Sequence, residues 1–352
     1  MKYDKDLKII DSTKDRRRNP FVKGGNEMKH HLEKSKTFVF VGLIFILLLP
    51  NAVGSLETYP NRPVTCIVAF PPGGATDLAF RLLAKETEKY LGQPIVVVNK
   101  PGGGGSIGVS AVATAKPDGY TFGTSPSGGF LAIMPYIEKI PYHPLKDIKY
   151  IMQFAELNFG VVVKADSPFK SFKDLIAYAR QNPKKLTYGT NAPNGISNLI
   201  TEQIARKEGV QFTHIPFKGS PEYQAALLGG HVSFIVGEFN YSFLEEGQTR
   251  VLLFLGEKHS EEYPQIPIVK DLGYDIPCPV INGIAGPKGL SDEITKKLDE
   301  AFAKGMKEQA FIKGMKDLHV TILYRNHNEL TDYAANNYEL FGKILKEMGI
   351  IK

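Results

Sequence analysis

The sequence lacks the side-chain clusters on which most enzymes depend. It contains no HExxH, no CxxC and no serine elbow with the required glycine spacing, and the six histidines beyond residue 54 are scattered. Zinc hydrolysis, dithiol redox chemistry and α/β-hydrolase acyl transfer are therefore poor readings. Ser125 and Ser127 stand at a strand end in TSPSGG, but the sequence places no histidine and acid to activate them. Cysteine is equally sparse. Cys66 lies in the apolar run VTCIVAF as a small hydrophobe, and an oxidising compartment allows a bridge from it to Cys278. An excess of charge is lacking as well. Residues 1–54 hold 11 of the 43 Lys and Arg and 6 of the 37 Asp and Glu, which leaves 32 basic against 31 acidic residues in the rest. The formal net charge thus falls from +6 to +1, and nothing recommends a nucleic-acid or anionic-membrane partner.

A membrane-spanning run is missing too. The longest uncharged apolar stretch near the start, Thr37 to Leu49, has 13 residues, whereas a spanning helix needs about 20. Lys29, Lys34 and Lys36 precede it, and Ala52 and Gly54 follow at the −3 and −1 positions of a cut before Ser55. This is the layout of a secretory signal, so residues 1–54 are expected to be a leader and the mature protein to be exported. Met28 would start a signal of ordinary length, which makes residues 28–54 the expected signal peptide. No cysteine follows closely enough for a lipid anchor.

With 43% hydrophobic and 23% charged residues over 352 positions, the remainder has the composition of a globular protein of two ordinary domains. Apolar β-branched runs alternate with helical periodicity. Strand Val64 to Phe70, helix Asp77 to Leu91, strand Ile95 to Asn99, helix Ser106 to Ala115 and strand Tyr120 to Thr124 form a first series. A second series is strand 160–164, helix 171–180, strand 186–190, helix 197–208, strand 212–216, helix 221–228 and strands 232–236 and 251–255. The alternation predicts an α/β protein in which each domain is a mostly parallel sheet flanked by helices, with a cleft between the two sheets. Residues 135–148 read as a crossover. Ser291 is the expected cap of a helix over 292–304, and Leu330, Tyr333, Ala334, Tyr338, Phe341, Ile344 and Leu345 share a face of the last helix.

Four strand exits carry unusual residues. In FPPGGATD, Phe70 to Asp77, two prolines stiffen the exit, Gly73 and Gly74 admit a ligand to the main chain, and Thr76 offers a hydroxyl where the helix dipole favours an anion. Capping by Thr76 or Asp77 explains the same residues equally well. Gly103-x-Gly105-x-x-Gly108 matches a dinucleotide fingerprint in form, but Lys100 and Pro101 intervene and no acid follows at the right distance, so a structural glycine turn is the better reading and no cofactor is expected. TNAPNGISN, Thr190 to Asn198, offers neutral donors around Gly195, although an Asn-rich turn needs no ligand. In IPFKGSPEY, Lys218 beside Gly219 can balance a ligand carboxylate or simply be solvated.

These segments resemble the extracytoplasmic solute receptors of tripartite tricarboxylate transporters, the Bug family. The resemblance runs from YPNRPVTCIVAFPPGGATD through LGQPIVVVNKPGGGGSIG, KPDGYTF, PYHPLKDI, LTYGT, HIPFKG, LLGGHVSFIVG and GIAGPKGLSDEI to the end. It implies a two-domain periplasmic binding protein of Venus-flytrap, type II-like form, with residues 55–157 and 278–352 in one domain and 158–277 in the other. Such a receptor acts without catalysis as a monomer, closes on a small carboxylate and delivers it to membrane permease subunits. The implied ligand set is Phe70, Gly73, Gly74, Ala75, Thr76 and Asp77 from one domain, and Thr190, Asn191, Ala192 and Asn198, backed by Lys218 and Gly219, from the other. Asn198 stands where the family commonly has histidine, and the tryptophan usual before GIAGP is absent from this tryptophan-free chain. A ligand sensor serving a signalling partner, or an exported serine hydrolase, are the alternatives.

Overall fold

The computed structural model describes residues 59–352. The expected signal peptide and its cut before Ser55 lie outside the described residues.

In chain order the elements are β1 (Val64–Val68), α1 (Ala75–Leu91), β2 (Ile95–Asn99), α2 (Ser106–Ala113), β3 (Thr121–Thr124), α3 (Gly129–Ala132) and α4 (Met134–Ile137). β4 (Ile148–Glu156) and β5 (Phe159–Lys164) follow with only two residues between them, and then α5 (Phe172–Gln181), β6 (Thr187–Thr190), α6 (Ile196–Glu208), β7 (Thr213–Pro216), α7 (Ser220–Leu228), β8 (Phe234–Glu238), α8 (Tyr241–Glu245) and β9 (Thr249–Phe254). The chain closes with β10 (Ile281–Pro287), α9 (Asp292–Gly305), α10 (Gln309–Asp317), β11 (Thr321–Arg325) and α11 (His327–Glu347). None of these helices is long and apolar enough to cross a membrane.

The strands form two sheets, of order β11-β4-β10-β3-β1-β2 and β7-β6-β8-β5-β9. Both are mixed, which corrects the expectation of mostly parallel sheets. β1 runs parallel to β2 and β3, but β10 is antiparallel to β3 and β4, and β11 is antiparallel to β4. In the second sheet β6 is parallel to β7 and β8, while β5 is antiparallel to β8 and β9. The antiparallel members are the strands the sequence pattern missed or that carry the chain between sheets. β4 is buried at eight of its nine positions and so shows no alternation, and every residue of β10 is buried despite two glycines and a proline.

Local chemistry explains the helices that were legible. Ser291 accepts from the N–H of Ile294 and caps α9 as expected. Ser171 and Asp174 form a reciprocal capping box at α5, as do Asn326 and Glu329 at α11. Leu330, Ala334, Phe341, Ile344 and Leu345 of α11 are buried, and the helix packs on α3 and β4 beside the first sheet. Cys66 and Cys278 are both buried and free, so the bridge allowed by composition is not formed. Burial pushes the Cys66 thiol up to about 12.

The crossings determine where the loops meet. β10 is antiparallel to both β3 and β4, so β1, β3 and β4 end at one edge of the first sheet, the edge from which β4 passes to β5. By the same reasoning β6, β7 and β8 end at the edge of the second sheet where β5 begins and β9 leaves. The exits of β1 and β6 therefore lie on the two edges that the chain crossings join.

Candidate ligand site

The exit of β1 is built around one buried carboxylate. Asp77 is 1% exposed and accepts from the Gly73 N–H at 2.9 Å, from Asn99 Nδ2 at 2.7 Å and from Arg81 Nε at 3.0 Å. Asn99 also donates to the Phe70 carbonyl at 3.0 Å, and Arg81 donates to Asn99 Oδ1 at 2.7 Å. Burial alone would raise the Asp77 pKa. The hydrogen bonds from Arg81, Gly73 and Asn99, with the guanidinium charge, outweigh it and hold the carboxyl below the usual range. Its charge is thus turned inward, and Asp77 shapes the loop.

What the loop presents is main chain. Gly74 is the N-cap of α1, in extended conformation and with no side-chain cap, so the N–H groups of residues 75, 76 and 77 have no intrahelical acceptor. Gly73 has a φ of +85° and is exposed beside Gly74, while Ala75, Thr76 and Phe70 are half-buried. Phe70 lies against Gly105, where an added Cβ would meet its ring at 3.4 Å. Gly102 to Gly105 all have positive φ, and a Cβ on Gly108 would come within 2.6 Å of Ala69. The glycine-rich segment is therefore a structural turn that lets α2 approach β1.

The exit of β6 repeats the plan with neutral groups. Gly195 is the extended, side-chain-free N-cap of α6, which leaves the N–H groups of residues 196, 197 and 198 without intrahelical acceptors. Asn198 is 6% exposed. Its Oδ1 accepts from the N–H of Asn194, a residue at φ +56°, and its Nδ2 donates to the Tyr188 hydroxyl at 2.6 Å. That hydroxyl donates in turn to Glu202 at 2.6 Å. Tyr188 stacks on His214 with ring centroids 4.8 Å apart, and His214 Nε2 is 2.8 Å from the Thr190 hydroxyl, which donates to the Ala192 carbonyl. Burial depresses the His214 pKa against the opposing charge of Glu202.

Thr190 is fully buried and Asn198 nearly so, and both side chains support the loop. Asn191 is exposed and Ala192 half-buried. Lys218 is exposed next to this exit, its N–H bonded to Glu222, and Gly219 caps α7 in extended form. The Ser197 hydroxyl, 1% exposed, has no hydrogen-bond partner. Among the described residues no hydrogen bond or ion pair joins the 70–77 loop to the 190–198 loop.

The residues that sequence reading missed are the supports, Arg81, Asn99, Tyr188 and Glu202, and the unpartnered Ser197. Arg81 follows Asp77 by four and Glu202 follows Asn198 by four, the one signal available in the sequence. A cavity of about 330 Å³ lies elsewhere, lined among others by Asn158, Lys316, His319 and Thr321. Neither Ser125 nor Ser127 is hydrogen-bonded to a base. Ser125 Oγ has no partner, and Ser127 Oγ bonds only to main chain, accepting from Ile281 and donating to Pro279. Among the described residues no cluster of three or more His, Cys, Asp or Glu is arranged to hold a metal.

Comparison with known proteins supplies the frame for this geometry. Residues 79–350 match the profile of the tripartite tricarboxylate transporter family receptor. The UPF0065 protein of the gbd 5'region of Cupriavidus necator is 35% identical over 327 residues, covering 93% of this chain and 99% of that protein. The crystal structure of a TctC solute binding protein from Polaromonas superimposes with a TM-score of 0.73 at 28% identity, over 82% of this chain and all of that one. R. palustris Rpa4515 with adipate does so with a TM-score of 0.68 at 27% identity, over 83% of this chain and 98% of that one. With an α/β fold of two sheets and a family profile matched over most of its length, the chain belongs to the tripartite tricarboxylate transporter receptor family, the Bug-type periplasmic solute-binding proteins.

Proposed function

We propose that this receptor captures a small carboxylate between the 70–77 and 190–198 loops, with Lys218 and Gly219 flanking, and delivers it to the permease subunits of a tripartite tricarboxylate-type transporter. The observation that carries this reading is the pair of helix N-termini, α1 and α6. Each has a glycine N-cap and three N–H groups free of intrahelical acceptors, and they lie on the sheet edges joined by the crossings. Such termini favour anions through both their N–H groups and the helix dipole. Gly73, Gly74, Ala75, Thr76, Asn191 and Ala192 supply contacts, mostly main chain, whereas Asp77, Thr190 and Asn198 hold the loops in shape. The Rpa4515 neighbour bound to adipate supports a carboxylate ligand.

On this reading the lobes are 55–157 with 278–352, and 158–277. The protein works as a periplasmic monomer without a cofactor, after cleavage behind Gly54. The test is a thermal-shift and calorimetric screen of mono-, di- and tricarboxylates. A ligand at 100 times its dissociation constant raises stability by about 2.7 kcal/mol. If no carboxylate shifts the melting temperature, the reading fails.

A further inference from the structure

Among the described residues, hydrogen bonds and a ring stack join the two lobes on the side of β11 and α8, whereas none joins the 70–77 loop to the 190–198 loop. In the first sheet the crossing strands β4 and β10 separate β11 from β3, β1 and β2. In the second, the crossing strands β5 and β9 lie together at the end away from β6 and β7. The ligand loops leave β1 and β6, so they occupy one side. On the other side His319, in the turn before β11, meets α8, which packs on β9.

That rear junction borders the cavity of about 330 Å³ and carries several polar and ring contacts. The His319 ring lies flat on Tyr241, with centroids 4.2 Å apart and planes inclined by 6°. Its Nδ1 is 2.7 Å from Glu262 and its Nε2 is 3.7 Å from Glu245 of α8. Asn158, between β4 and β5, donates to the Tyr241 hydroxyl at 2.6 Å and to the His319 carbonyl at 2.9 Å, and accepts from Thr321 at 2.9 Å. Between front and rear, the crossings are tied to each other. The buried Glu156 carboxylate at the end of β4 accepts from the N–H groups of Glu257 at 3.1 Å and Lys258 at 3.3 Å, just after β9. This makes a fulcrum. On the closing-receptor reading, a rotation about this tie that brought the β1 and β6 loops together would draw His319 away from Tyr241.

We propose that the His319–Tyr241 stack is a rear latch that holds the unliganded receptor open and lowers its affinity for ligand. The inference rests on the closing-receptor reading above. Ligand binds tightly only to the fraction of molecules able to close, so an interaction that closure must break weakens apparent affinity by the same factor as it reduces that fraction. The latch residues touch no ligand. They act on affinity through the open-to-closed equilibrium alone.

The test uses His319→Asn, since asparagine tolerates the left-handed φ of +52° at this position while losing the ring stack and the imidazole pairing. Spin labels at Lys85→Cys on α1 and Arg206→Cys on α6, both exposed, report the separation of the helices that follow the two loops; the native cysteines are buried. Without ligand, His319→Asn is expected to enlarge the short-distance population at least threefold. An unchanged or lengthened distribution overturns the proposal. Tyr241→Leu replaces it in the same measurement if the far-ultraviolet circular dichroism of His319→Asn departs from wild type. In a second arm, adipate is expected to bind His319→Asn about tenfold more tightly than wild type, and equal or weaker binding overturns the latch. Failure of adipate and every other carboxylate to bind either protein sinks the ligand reading, while the distance measurement still decides the latch.

Discussion

The exits of β1 and β6 reach the same end by different chemistry. Both place a glycine N-cap before a helix whose first N–H groups have no intrahelical acceptor. The first is held by charge, with Asp77, Arg81 and Asn99 drawing the loop onto the end of β2. The second is held by neutral and aromatic groups, with Asn198 bonded to Tyr188 and Tyr188 stacked on His214. On the proposed reading, a carboxylate site lined by neutral groups does not require neutral supports. A charge can stand directly beneath an anion site provided its field is spent on its own partners, as the field of Asp77 is on Arg81.

Removing the charged support gives the largest expected effect. Asp77→Ala takes the acceptor from the Gly73 N–H, the Asn99 amide and Arg81 together; the Arg81 side chain is 44% exposed and stays solvated, so the loss is that of hydrogen bonds to a buried carboxylate, about 2 kcal/mol. Urea denaturation of the two proteins measures it, and a loss under 1 kcal/mol would show that the loop holds its shape without the carboxylate. Tyr188→Phe is the matching cut under the second loop. It removes the hydroxyl shared by Asn198 and Glu202, with an expected loss of about 1.5 kcal/mol and a parallel loss of carboxylate affinity. Stability that falls while affinity stays level would detach the network from the site.

Thr76→Val addresses the ligand interaction alone. Its hydroxyl is half-buried at the first turn of α1, and losing one neutral hydrogen bond to ligand weakens binding by about 1 kcal/mol, or roughly fivefold, with stability nearly unchanged. Equal affinity in calorimetry would remove Thr76 from the site.

The smallest effects are in pH, and they differ in position. Asp77 has a folded pKa below its ordinary 3.8, so its contribution is present above that value and is lost as pH falls through the folded pKa. His214 is depressed below its ordinary 6.5, mainly by burial. The unfolded chain then binds the proton first, and stability declines as pH falls from 6.5 toward the folded pKa. Asp77→Asn should flatten the acid limb below pH 4, and His214→Gln the limb just below 6.5, in denaturation series across pH. A neutral Asn198 therefore does not free the second loop from titration, because His214 lies in the same network. If His214→Gln leaves the second limb intact, some other group titrates there.

Sequence pattern was informative wherever structure is local. The extent of α1, the Ser291 cap, the glycine turn at 102–105 and the strand exits of β1, β6 and β7 depend on residues a few positions apart, although α1 buries Phe80, Leu83 and Ala84 and leaves Leu78 and Tyr90 exposed. β10, INGIAGP, has poor strand propensity and takes its place only because β3 and β4 flank it, with register shifts at Asn282/Gly283 and Ile284/Ala285. β11 pairs with β4 across more than 150 positions, between Glu156 and Thr321. No window-based reading finds such strands, and they are the ones that make the first sheet mixed; in the second, β5 and β9 were legible as strands but their antiparallel direction was not.

At the candidate site, the residue types of both loops were decided by sequence: glycine at the helix N-caps, small polar groups at helix starts, and a family resemblance borne by long ordered motifs. Which of those side chains face outward was decided by tertiary structure alone. Asp77, Thr190 and Asn198 have the chemistry of ligand contacts, but Arg81, Asn99, Tyr188 and His214 come to them from neighbouring turns and strands and take up their hydrogen bonds. A donor's identity is written in the chain, whereas its direction depends on which partner the fold brings within 3 Å.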